Sequence, residues 1–88
     1  MVNVTALLAR SETFVEVYQT LMADLEIQMD SHIQLGDEGQ EAAALLRVEI
    51  NKIRALIGYW RTEVAFWRNE LNENKNQIKE SNKLASAT

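Results

Sequence analysis

Five basic residues stand seven apart in this chain: Arg47, Arg54, Arg61, Arg68 and Lys75. On a helix such a row recurs on one face at steps of about 10.5 Å, a spacing that can follow phosphates. Two facts speak against that use. Glu49, Glu63 and Glu70 flank the row, and the formal net charge is −4, with no dense basic cluster. A polyanion is repelled rather than gathered by such a chain, so nucleic acid is not an expected partner. His32 has Asp30, Asp37 and Glu38 nearby but no second histidine, and the chain has no cysteine. A metal site built from helical ligand spacing is therefore not expected, nor is a cofactor. Glu12/Glu16 and Glu70/Glu73 are neighbours on a helix face rather than an acid/base pair. No nucleophile stands beside a base and no glycine-rich phosphate loop follows a strand, so the sequence predicts no enzyme.

What remains is recognition chemistry. Four of the six aromatic residues fall within Tyr59–Trp67, as Tyr59, Trp60, Phe66 and Trp67, interleaved with Arg61 and Arg68. Trp, Tyr and Arg are the side chains that dominate binding energy at protein interfaces. They also fill ordinary helical cores, so the elements that carry them decide between the two uses.

Those elements are legible as a heptad repeat. Leu46, Ile50, Ile53, Ile57, Trp60, Val64, Trp67, Leu71 and Ile78 recur at alternating steps of four and three, with Asn74 filling one gap. This is the pattern of a helix held against another helix. Position a holds Ile50, Ile57, Val64, Leu71 and Ile78; position d holds Ile53, Trp60, Trp67 and Asn74. The basic row is then position e, and position g holds Glu49, Leu56, Glu63, Glu70 and Gln77. In a parallel self-pair each g faces the partner's e five residues on. That matches Glu49 with Arg54, Glu63 with Arg68 and Glu70 with Lys75, whereas antiparallel pairing sets like charges together. Leu45, Tyr59 and Phe66 at c, beside Leu56 at g, widen the apolar arc to about 160° by the 100° turn per residue. Such an arc accommodates two neighbours. The expectation is that the first helix folds back on the c/g/d side and leaves the a/e side to another subunit. Gly58, at b, costs a helix interior about 1 kcal/mol relative to alanine, on a back face shared with Ala44, Ala55, Thr62 and Ala65.

The first helix is expected over about 3–29, starting near Asn3. Leu7-Phe14-Leu21 with Tyr18 and Leu25 makes one row, and Leu8-Val15-Met22-Met29 a second. Residues 30–40, with Gly36 and Gly39 able to take positive φ, read as the connection. Ile33 and Leu35 alternate there with polar residues, as in a short extended piece. The long second helix is expected over about 38–82, and at 1.5 Å per residue it outruns the first. Residues 1–83 thus form a single domain, and 84–88 a frayed tail.

The fold class is all-α, a helical hairpin. A chain of 88 residues buries only about 60–65% of its unfolded surface, and with no disulfide or metal to help, oligomerisation is the remedy left. The charge is uneven: residues 1–40 carry one arginine and seven acids, residues 41–88 eight basic residues and six acids. No apolar run approaches the roughly 20 residues of a membrane span, the acidic first helix does not suit anionic lipid, and no signal peptide opens the chain. A cytoplasmic setting is expected, in a host cytoplasm or virion if the protein is phage-encoded.

Three functional readings follow. The first is a self-associating structural subunit or adaptor, of the kind found in phage particles and secretion machines. It would act through Ile50, Ile53, Arg54, Ile57, Trp60, Arg61, Val64, Trp67, Arg68 and Leu71. The second is a small acidic inhibitor of the counter-defence type, binding a basic enzyme surface through Glu12, Glu16, Asp24, Glu26 and Asp30. The third is a co-chaperone or other module that accepts an amphipathic helix.

Overall fold

The protein is an antiparallel hairpin of two helices. The computed structural model describes residues 3–87, with side chains for 3–77. Helix α1 spans Val4–Gln34, a 3-10 turn follows at Gly36–Gly39, and helix α2 spans Gln40–Ala87. No strand occurs among the described residues.

α1 begins as expected. The Asn3 side chain accepts from the Ala6 N–H at 3.0 Å, which satisfies one of the unpaired donors of the first turn. Its end differs: α1 runs five residues past Met29, and Ile33 is helical rather than extended. Nothing before Gly36 breaks the helix. Ser31, whose hydroxyl can compete with the backbone, instead donates to the Ile27 carbonyl at 3.1 Å and stays in register. Gly36 ends the helix at φ 71°, the left-handed residue of a helix C-terminus.

Gly39 makes the reversal tight. A Cβ at that position would stand 1.8 Å from the His32 carbonyl oxygen. Any larger residue would therefore push the 3-10 turn off the end of α1. α2 starts at Gln40, slightly later than expected, and continues through Ala87 rather than stopping near Asn82. Residues 84–87 of the expected frayed tail are thus helical in backbone; Thr88 and the side chain of Ile78 lie outside the described residues.

With 31 residues in α1 and 48 in α2, α1 covers only the turn-proximal part of α2. The molecule measures 77 × 16 × 15 Å, with a radius of gyration of 21.1 Å. A compact chain of this length would have about 12 Å. So slender a body has little interior: Ala43, Ile50, Ile53 and Ile57 are its buried apolar residues among those described. They belong to positions a and d of the heptad.

This corrects the expected arrangement. α1 lies over a and d, not over c, g and d, and Ile50 and Ile57 at a are the deepest apolar side chains at 3% exposure. The seam that the heptad could offer a second α2 is occupied by α1. Two forces draw α1 there. The aromatic ring of Phe14 stacks on Trp60 with centroids 4.5 Å apart, and the acidic flank of α1 comes to rest beside the arginine row. On α1 the face toward α2 is centred on Val4, Ser11, Tyr18, Leu25 and His32. Ser11, the buried polar residue at 2% exposure, donates to the Leu7 carbonyl at 2.9 Å. Of the two apolar rows read from the sequence, Leu7, Phe14 and Leu21 lie to one side of this line and Leu8, Val15 and Met22 to the other, with Tyr18 and Leu25 on it.

Candidate functional site

The hairpin has two long edges, and each is made by both helices. One is charged. A shallow groove of about 620 Å³ is lined by Ala9, Glu12, Thr13, Val15 and Glu16 of α1 and by Arg61, Val64, Ala65 and Arg68 of α2. Nearer the turn a second groove, about 300 Å³, is lined by Glu26, Met29, Asp30, Arg47, Ile50, Asn51 and Arg54. Acids from α1 thus face arginines from α2 in both grooves. The one ion pair closed across it among the described residues is Arg68 to Glu12, at 3.6 Å with both side chains at least half exposed. Arg54 instead donates to Asn51 within its own helix at 3.1 Å. The opposite charges of the two halves thus stand on the same side of the molecule.

The opposite edge is apolar. α2 contributes Leu45, Leu56, Tyr59 and Phe66, with Tyr59 57% and Phe66 52% exposed. α1 contributes Phe14, Val17 and Leu21; Val17 is 55% exposed and Leu21 42%. A ladder of rings ties the two helices together along this edge. Tyr18 stacks on Phe14 at 6.1 Å, Phe14 on Trp60, and Tyr59 meets Trp60 edge-on at 5.1 Å. Phe66 meets Trp67 edge-on at 4.8 Å. The Arg10 guanidinium lies 5.6 Å from the Phe14 centroid and 5.8 Å from that of Trp60. At such distances the cation is attracted by the ring faces. Trp67, half-buried, donates its indole N–H to Glu63 at 3.0 Å.

The expected binding residues separate on this frame. Ile50, Ile53 and Ile57 lie beneath α1. Trp60, Val64, Trp67 and Leu71 are half-buried, and Arg54, Arg61 and Arg68 stand on the charged edge. Of the acidic set, Glu12, Glu16, Glu26 and Asp30 face the arginines. Asp24 lies on the opposite side, where it accepts from Gln28 at 3.3 Å. The row at c and g, read from the sequence as the bed for α1, is the open one. Sequence reasoning missed the α1 half of that edge, Arg10, Phe14, Val17 and Leu21, as a surface. Val17 carried a signal: it is a large β-branched residue that belongs to neither inward row.

Among the described residues no group of three or more metal-ligating side chains is brought together, and no helix is long and apolar enough to cross a membrane. Comparison with protein-family models, with curated proteins and with solved structures finds no match.

Proposed function

We propose that this protein is a small non-enzymatic structural or adaptor subunit that works by helix–helix association through its apolar edge. One observation carries the reading. Among the described residues more large apolar side chains lie outside than are buried: ten, Val17, Leu21, Ile27, Ile33, Leu35, Leu45, Val48, Leu56, Tyr59 and Phe66, are 40% exposed or more. Six of the edge residues line up along one side of the rod. Contiguous apolar surface of this kind marks interaction sites, and its aromatic and arginine content is that of binding hot spots.

The acidic-inhibitor reading is less well supported, because Glu12, Glu16, Glu26 and Asp30 are opposed by the chain's own arginines. A module that accepts a foreign amphipathic helix would use the same apolar edge and differs only in its partner.

The reading is tested by light scattering at high micromolar concentration on wild type and on Tyr59→Asp with Phe66→Asp. Both side chains are more than half exposed, so the helices should persist by circular dichroism. The expected result is a mass above the monomer for wild type and a monomer for the variant. Association unchanged by the two aspartates would overturn the assignment of this edge.

A further inference from the structure

Resting on that reading of the apolar edge, we infer that its occupant is a second copy of this chain, docked side by side with the two turns at the same end. Charge selects a copy over a foreign helix, and area shows that the edge is of the size a dimer uses.

The first argument is charge. Arg10, Phe14, Val17, Leu21 and Asp24 recur at steps of three and four along α1, so they share one strip. On this strip the cation is at the end far from the turn, beside Trp60, and the anion is turnward. The facing strip of α2 is acidic at its distal end, with Glu63 and Glu70 at g, and carries the Glu49–Lys52 ion pair at its turnward end, with Leu56 and Tyr59 between. The edge thus carries opposite charges on its two helices at the distal end, beside an apolar centre. When a second copy is turned about the long axis of the rod, α1 of each faces α2 of the other at the same level. Arg10 then comes to the level of the second copy's Glu63, and Asp24 to the level of its Glu49–Lys52 pair, twice over. Lys52 already touches Glu49 of its own helix at 3.2 Å with both side chains mostly exposed, and Asp24 and Glu63 retain acceptor capacity beyond the bonds to Gln28 and Trp67.

An antiparallel twofold through Val17 also opposes Arg10 to Asp24, and it brings Lys52 to Glu63. It fails elsewhere. It sets Phe66 near the other copy's Glu49, and Leu45 near Glu70. The parallel arrangement instead brings Phe66 to the level of Leu7 and Arg10. It also places Glu70 near the start of the other α1, whose positive dipole end favours an anion. The two α2 helices then run in the same direction, but α1 pairs with α2 across the apolar edge and the two α2 seams do not join.

The second argument is area. The chain exposes 6813 Å², about 1500 Å² more than the roughly 5300 Å² of a compact protein of its mass. An edge about 46 Å long, from the 1.5 Å rise over α1, and 16 Å across, offers on the order of 700 Å². A stable dimer takes about 800 Å² from each partner.

The chain lacks cysteine, so Leu35→Cys, an exposed position before the turn, carries a single spin label. Light scattering first gives the mass, and the label-to-label distance then gives orientation. A dimer with labels about 20–30 Å apart is expected. By helix rise, the antiparallel twofold would hold them about 55 Å apart. A dimer at the long distance overturns the parallel arrangement and leaves the apolar edge standing as an association surface. A monomer overturns the second copy as occupant and, with it, the self-association expected of this edge. A dimer that survives Val17→Glu with Tyr59→Glu, with helicity retained, overturns both the proposal and the reading beneath it.

Discussion

The two edges of the hairpin are built from the same pair of helices and meet the same solvent, yet they are closed in different ways. On the charged edge, carboxylates and guanidinium groups stand across open grooves, and one pair among the described residues comes within ion-pair distance. On the apolar edge, rings touch from Tyr18 through Phe14 and Trp60 to Tyr59, and the outer members of the row remain in water. The first edge is satisfied electrostatically but packed loosely. The second is packed inward but left incomplete outward. Long-range attraction can choose which side α1 takes without filling space, whereas dispersion and burial need contact. The charged edge therefore brings opposite charges of the two helices to the same side, and the apolar edge supplies adhesion within the chain.

The largest expected effect separates these roles. Phe14→Ala removes the ring that joins the helices at Trp60 and uncovers one side of the indole. Phe→Ala in a full core costs about 3–5 kcal/mol; Phe14 is only half-buried, so a loss of about 2 kcal/mol is expected in urea unfolding. The loss should be unchanged between low and high salt. A cost that falls in salt would mean that the Arg10 cation, not the ring stack, holds this edge.

Much of this frame was legible in the residues. The start near Asn3, the glycine reversal and the overhang of α2 followed from the apolar stripe reaching back to Leu7, from positive φ at Gly36 and from helix rise. The end of α1 was harder. Residues 30–35 are polar and alternate, which resembles a loop, and only the lack of any breaker before Gly36 argues for helix. The side of α2 that α1 occupies was misread for a different reason. Periodicity identifies apolar residues at a, d, g and c, but it does not say which of two adjacent apolar faces a given neighbour takes. The deciding information was present in Glu12, Glu16, Glu26 and Asp30, which share a flank of α1 and match the arginines at e. The difference in total charge between the two halves does not by itself reveal this local match of rows.

A smaller effect probes the packing beside the charged edge. Gly58, at b, adjoins the arginine row, and a Cβ there would meet nothing within 4 Å. Gly58→Ala should therefore stabilise the protein by about 1 kcal/mol, the propensity difference in a helix interior. The denaturation midpoint should rise and the mass by light scattering should stay the same. A fall in mass with this substitution would show that the back of α2, and not the apolar edge, receives a neighbour.

The smallest effect concerns the one ion pair that crosses the charged edge. Glu12 and Arg68 are 3.6 Å apart with side chains 50% and 60% exposed. Water and salt screen such a pair, and ordering two long side chains offsets much of the attraction, so pairs of this kind couple by about 0–1 kcal/mol. A double-mutant cycle with Glu12→Gln and Arg68→Gln should give a coupling of about 0.5 kcal/mol at low ionic strength. That coupling should shrink toward zero at about 1 M salt, where the screening length is near 3 Å. The contrast with Phe14→Ala lies in this salt response as much as in size. If the coupling instead exceeded about 2 kcal/mol and persisted in salt, the pair would have to be desolvated by a neighbour. The charged edge, rather than the apolar one, would then be where a second molecule sits.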